Sequence, residues 1–151
     1  MKLSSSRRCI QMNLKEKIDF LEGEGLWKTK AYDQLPQLVL SDGPHGIRRQ
    51  KDDLDHLGQK GSHPATLYPA GCLSACSFDE KLLYDMGTFL AKEAQSLGVH
   101  IILGPAMNIK RTPLCGRNFE YFSEDPILTG NLAYHMTKGI EDQGVGTSLK
   151  H

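Results

Sequence analysis

The segment CGRNFEYFSEDP, residues 115–126, packs Arg117, Asn118, three aromatics and the carboxylates Glu120, Glu124 and Asp125 into twelve positions. Apolar periodicity does not account for such a stretch. Two other places carry similar side chains: Asp42 and Arg48 in SDGPHGIR, and the pair Lys150-His151. Carboxylates accept hydrogen bonds, whereas Arg, Lys and His⁺ donate them. Together they suit a ligand rich in hydroxyls, each of which both donates and accepts, as in a pyranose sugar. The chain has no Gly-rich phosphate loop, no dinucleotide-binding fingerprint and no H-E-x-x-H zinc motif. It also lacks a G-x-S-x-G nucleophile elbow. On residue chemistry alone the reading stops at an enzyme for a polar ligand.

Each candidate also has a plainer reading. Asp42 precedes Gly43, and Asp-Gly is a common turn pair. Arg48 reads equally as a surface charge. Arg117 reads equally as one partner of an ion-pair network with Glu120, Glu124 or Asp125. Asp125 reads best as a helix cap, and Phe119, Tyr121 and Phe122 as packing. Lys150 and His151 could be ordinary surface residues, and no partner is evident for His45 or His100.

The elements that must position these residues follow from local pattern. Asn13 and Glu16 form a capping box, and Leu14, Ile18 and Leu21 give a helical stripe ended by Gly23 or Gly25. Residues 37–40 read as a short buried strand broken by Gly43, Pro44 and Gly46. Residues 49–66 read as a long loop. Ser77 and Glu80 form an S-x-x-E box, and Leu82, Leu83, Met86, Leu90, Ala94 and Leu97 recur at helical spacing before Gly98. VHIILGP, residues 99–105, reads as a strand apolar on both faces. Asp125-Pro126 starts a third helix, with Leu128, Leu132, Met136 and Ile140 on one side and Gly144 at its end. VGTSLKH, residues 145–151, begins a third strand. Alternating strands and helices predict an α/β fold with a parallel sheet. If that sheet belongs to a (β/α)₈ barrel, the candidate residues gather at the carboxyl ends of its strands, the face that carries active sites.

Lys plus Arg number 18, as do Asp plus Glu, so bulk charge gives no nucleic-acid or membrane surface. No apolar run has the length of a signal peptide or a membrane span, so the expected compartment is cytoplasmic. Cys9, Cys72, Cys76 and Cys115 lack C-x-x-C spacing and read as free thiols of a reducing compartment.

SDGPHGIR, GPAMNIKRTPLCGRNFEYFSEDP and the Lys150-His151 pair resemble the amino-terminal domain of glycoside hydrolase family 3 β-glucosidases. NLKEKIDFLEGEGLWKT and LYPAGCLSACSFDEKLL are similar to the family's opening helix and to its entry into the next one. The resemblance runs from about residue 13 to residue 151. It divides the chain into an extension over 1–12 and a partial family domain over 13–151. It implies the first three β/α units of an incomplete (β/α)₈ TIM-like barrel, which an α/β sandwich domain follows in the family. It also implies removal of terminal β-D-glucosyl residues from a β-glucoside or oligosaccharide with retention, without a metal or organic cofactor. Asp42, Arg48, Arg117, Lys150 and His151 are the implied substrate-binding residues, Asp42 taking hydroxyls remote from the scissile bond. The implied nucleophile, an aspartate in a later S-D-W-like motif, and the acid/base carboxylate lie beyond His151. The chain is therefore expected to be a fragment without turnover of its own. A non-catalytic product and a β-N-acetylhexosaminidase of the same family are the alternatives.

Overall fold

The computed structural model describes residues 12–32, 35–51 and 59–151. The extension up to residue 11, Cys9 and the middle of the expected 49–66 loop therefore lie outside the described residues. The element order is α1 (Leu14–Leu21), β1 (Leu40–Asp42), α2 (Gly71–Ala75), α3 (Glu80–Ser96), β2 (Ile101–Leu103), a 3₁₀ turn (Asn118–Glu120), α4 (Pro126–Glu141) and β3 (Gly146–Thr147).

The sheet order is β1-β2-β3, and both pairs are parallel. Leu40, Ser41 and Asp42 stand opposite Ile101, Ile102 and Leu103, while Ile101 and Ile102 pair with Gly146 and Thr147. Parallel neighbours need a crossover rather than a hairpin, and α3 and α4 supply it. The central strand buries Ile102 completely and leaves Ile101 and Leu103 half-buried, so the expectation of two fully apolar faces holds only for its middle residue.

The core lies where α3 packs on α4. Leu83, Met86, Leu90, Ala91 and Ala94 recur at spacings of three and four, and they meet Leu132, Ala133, Met136 and Ile140. Full burial of one such large side chain stabilises the fold by about 1.5–3 kcal/mol, and Leu83, Leu90, Leu132, Met136 and Ile140 are at most 1 % exposed. Two glycines let the helix backbones approach. A Cβ on Gly139 would stand 2.1 Å from the Tyr84 carbonyl oxygen, and one on Gly87 would stand 2.4 Å from that of Met136. Backbone has little room to yield, so Gly139→Ala is expected to destabilise the protein by about 1–3 kcal/mol. A urea titration checks this, and an unchanged midpoint would show that the helices separate at no cost.

Three local expectations need correction. The first strand runs over Leu40–Asp42 rather than 37–40, because Leu40 to Asp42 are the residues that pair with β2. The cap of α3 is Asp79, whose side chain accepts the Leu82 amide at 3.1 Å. Ser77, the expected cap, instead donates its hydroxyl to the Ser74 carbonyl at 2.7 Å and accepts the Asp79 amide at 3.2 Å, closing the turn after α2. Helix α1 has its capping box from Asn13 and Glu16, but buries none of its residues. Its stripe of Leu14, Ile18 and Leu21 faces solvent, since nothing among the described residues packs over it. Other elements follow their patterns. Asp125 Oδ1 accepts the amides of Ile127 and Leu128 at 2.7 and 2.9 Å, with Pro126 opening α4. Among the described residues no helix is long and apolar enough to cross a membrane.

Candidate functional site

Asp42 ends β1, and the turn after it brings the chain back sharply. Gly43 has φ +131°, and a Cβ there would fall 1.9 Å from the Gly46 carbonyl oxygen. The turn is closed by Arg48, whose backbone amide donates to the Asp42 carbonyl at 2.9 Å. The exposed Arg48 guanidinium acts on the Asp42 carboxylate through charge.

Lys150 reaches the same carboxylate from the other edge of the sheet. Beyond β3 the chain stays parallel to the segment after β2: Ala106 bridges Lys150, the Met107 amide donates to the Lys150 carbonyl at 2.9 Å, and the Lys150 amide donates to the Pro105 carbonyl at 3.2 Å. Strands one neighbour removed lie about 9–10 Å apart, a gap that a lysine stem and an aspartate side chain can close together. Lys150 Nζ donates to Asp42 Oδ1 at 2.7 Å, across 108 residues of sequence. The Lys150 side chain is only 14 % exposed, against 40 % for Asp42.

The 3₁₀ turn supplies the third corner. Glu120 is buried, with 6 % of its side chain exposed, yet two cations flank it. Arg117 Nε donates to Glu120 Oε1, and Lys150 Nζ lies 4.0 Å from Oε2. Glu120 is held deep because α2 presses on its backbone: a Cβ on Gly71 would stand 2.3 Å from the Glu120 carbonyl oxygen. The plainer reading of Arg117 as an ion-pair partner is therefore right about Glu120, while its guanidinium also contacts His151 Nε2. Tyr121 is buried, and its hydroxyl lies 3.2 Å from His151 Nδ1. The His151 amide donates to Asn108 Oδ1 at 2.9 Å.

Asp42, Lys150, Glu120, Arg117 and His151 thus form one connected polar chain at the carboxyl end of the sheet. Arg48 is joined to it through the Asp42 backbone. Of the three acids the sequence offered to Arg117, the fold selects Glu120, while the sequence pattern did not single out Asn108 or Tyr121 as contacts of His151. The 3₁₀ turn gave no periodic signal, although Glu120 stands three residues from Arg117. The remaining aromatics divide: Phe122 is packed in the core, while half-exposed Phe119 meets His45 edge-on at 5.9 Å. His100 has a structural partner, its Nδ1 accepting the Val39 amide at 2.9 Å. Among the described residues no cluster of three or more His, Cys, Asp or Glu side chains could hold a metal ion.

Two ionisations follow from this packing. Burial pushes the Asp42 carboxyl up, but the Lys150 hydrogen bond and charge, the Gly43 amide and the Arg48 charge together hold it below the ordinary range. For His151, burial and then the charges of Arg117 and Lys150 push the imidazole below its ordinary value, outweighing the opposite pull of Glu120 and Asp42. Its folded form therefore resists protonation. The stability due to neutral His151 is fully present above the ordinary imidazole pKa and falls as the pH drops below it. NMR titration of the His151 ring protons should give a midpoint below that of a free histidine, and a higher midpoint would contradict the geometry.

The family description "Glycosyl hydrolase family 3 N terminal domain" matches residues 34–151, which include every member of this polar chain. The chain belongs to glycosyl hydrolase family 3. Within the family it is 48 % identical over 143 residues to the thermostable beta-glucosidase B of Acetivibrio thermocellus, covering 93 % of this chain and 19 % of the relative. It is 38 % identical over 148 residues to an exo-alpha-(1->6)-L-arabinopyranosidase of Bifidobacterium longum, again covering 93 % of this chain and 19 % of the relative. The solved beta-glucosidase of Kluyveromyces marxianus in complex with glucose superposes with a TM-score of 0.83 at 38 % identity, over 93 % of this chain and 16 % of that one. The chain thus spans about a fifth of the length of such curated relatives. The α/β fold with a parallel sheet is the family's own.

Proposed function

We propose that this chain supplies the part of a retaining β-glucosidase that holds the terminal non-reducing sugar, on the first three β/α units of a (β/α)₈ barrel. The observation that carries the reading is the polar chain Asp42–Lys150–Glu120–Arg117–His151 at the carboxyl end of a parallel sheet. Asp42, ionised at neutral pH, has oxygen lone pairs left to accept hydroxyls after its bonds to Lys150 and the Gly43 amide. Lys150, Arg117 and the ring of His151 can donate to others. The relatives named beta-glucosidase support glucose as the sugar.

A retaining mechanism needs two carboxyl groups about 5–5.5 Å apart, one to attack the anomeric carbon and one to protonate the leaving oxygen. Neither acid of the polar site is suited to those tasks. Glu120 is buried and committed to Arg117 and Lys150, so it is not free to attack. Asp42 is held ionised by Lys150 and is therefore a poor proton donor at neutral pH. Both act as binders and braces. The proposal places the nucleophile and the acid/base outside residues 1–151, and it requires no metal or organic cofactor.

The test is kcat/KM of the full-length enzyme containing this chain on chromogenic β-D-glucoside, α-L-arabinopyranoside and β-N-acetylglucosaminide substrates. The expected order puts the β-glucoside first. A preference for the arabinopyranoside would place the enzyme beside the arabinopyranosidase relatives, and turnover of none of the three would overturn the reading.

A further inference from the structure

A cavity of about 390 Å³ opens between α2 and the segment that follows the 3₁₀ turn. Cys72 and Cys76 both line it, together with Phe78, Phe122, Lys110 and Glu124. The sugar-binding reading uses neither thiol. Cys72 lies in α2, and Cys76 is its C-cap with helical dihedrals, φ −64° and ψ −13°. Side chains four apart on helical backbone share a face, with Cβ atoms about 5–6 Å apart. A disulfide requires Cβ atoms about 3.5–4.5 Å apart, so this pair is too wide to close on itself unless the turn unwinds. A bridging atom fits better, since a sulfur bond to a soft centre is about 2.3 Å long and two of them span the gap. Cys76 already leans the right way: its Sγ donates to the Cys72 carbonyl at 3.2 Å. Cys72 is half-buried and Cys76 exposed, so both can be reached from solvent.

The surroundings narrow the class of ligand. No cluster of three or more metal-binding side chains occurs among the described residues, so a zinc ion would lack its usual four protein ligands. A centre satisfied by two protein sulfurs and one substituent of its own does not need them. Phe78 and Phe122 offer that substituent an apolar wall. Lys110, whose Nζ donates to the Phe122 carbonyl at 3.3 Å, brings a positive charge to the lining of the same cavity, where the sulfurs bind as thiolates.

We propose that Cys72 and Cys76 form a dithiol site for a trivalent organoarsenical, the aryl group lying against Phe78 and Phe122. With an arsonous acid, R–As(OH)₂, two As–S bonds form and two As–O bonds break. Each hydroxide leaves with one thiol proton as water, and nothing is oxidised or reduced. The site stands independently of the sugar-binding reading.

The experiment titrates phenylarsine oxide, which hydrates to the arsonous acid, into the protein with Cys9 and Cys115 replaced by serine. One arsenic per chain by intact mass is expected, with loss of two free thiols and release by a dithiol but not by an equal concentration of monothiol. Losing one of two tethered contacts should weaken binding by about 100-fold or more in Cys72→Ser or Cys76→Ser. The double change Cys76→Ser with Ser77→Cys keeps two thiols but turns one off the shared face, and should weaken binding equally. Two arsenicals per chain, or unweakened binding by either single variant, overturns the proposal.

Discussion

Replacing Asp42 by alanine in the full-length enzyme is expected to lower kcat/KM on a β-glucoside by roughly two to four decades, whereas Asp125→Ala leaves turnover near normal. Asp42 is the acceptor at the end of β1, and its partner Lys150 is largely shielded from water. A hydrogen bond to a charged group is worth roughly 1.5–3 kcal/mol. On the proposed reading the carboxylate binds two sugar hydroxyls, which corresponds to about 3–6 kcal/mol in kcat/KM. Contacts remote from the scissile bond also fix the anomeric carbon, so kcat falls together with affinity. Asp125, in contrast, is occupied in capping α4 through the Ile127 and Leu128 amides. Its removal costs about 0.5–2 kcal/mol, in stability rather than turnover. The check is steady-state kinetics and urea midpoints for both variants. Near-normal kcat/KM for a folded Asp42→Ala protein would remove Asp42 from the site.

The Glu120→Gln variant should damage both stability and activity. Its carboxylate is buried between Arg117 and Lys150, paired directly with Arg117 and 4.0 Å from Lys150, whose nearer partner is Asp42. Removing one partner of a buried ion pair costs about 3–5 kcal/mol. Arg117 is about half exposed, with 52 % of its side chain accessible, so water screens part of that loss. The expected destabilisation is therefore about 2–4 kcal/mol. Unbraced, Arg117 and Lys150 repel each other, and kcat/KM should fall by about two decades if the loss appears in substrate positioning. A second readout separates the charge from mere packing. Glu120 pulls the His151 pKa upward, so the His151 midpoint should fall further in Glu120→Gln. An unmoved His151 titration alongside a normal urea midpoint would show that Glu120 braces nothing.

Much of this protein was legible in one dimension. Asp125-Pro126 and the stripe Leu132, Met136 and Ile140 define α4 from residues within a turn or two of each other, because caps and amphipathic faces are short-range physics. The same locality gave α3, its end at Gly98 and the α/β order. The motifs around Asp42, Arg117 and Lys150-His151 indicated the family before any geometry was known. Tertiary structure decided the rest. Ser77 and Asp79 both offer a capping oxygen to α3, and the closing turn of α2 recruits Ser77, leaving Asp79 to cap. The first strand is set by its pairing with β2, so its limits follow a partner some sixty residues away, as in Leu40 opposite Ile101. Helix α1 carries a core-like stripe, but no local pattern states what covers it. The Lys150–Asp42 bond joins the two outer strands of the sheet across 108 residues. Glu120 is buried because the α2 backbone at Gly71 presses against it. Neither contact leaves a spacing to read in sequence, because both exist only once parallel strands and their crossover helices have packed.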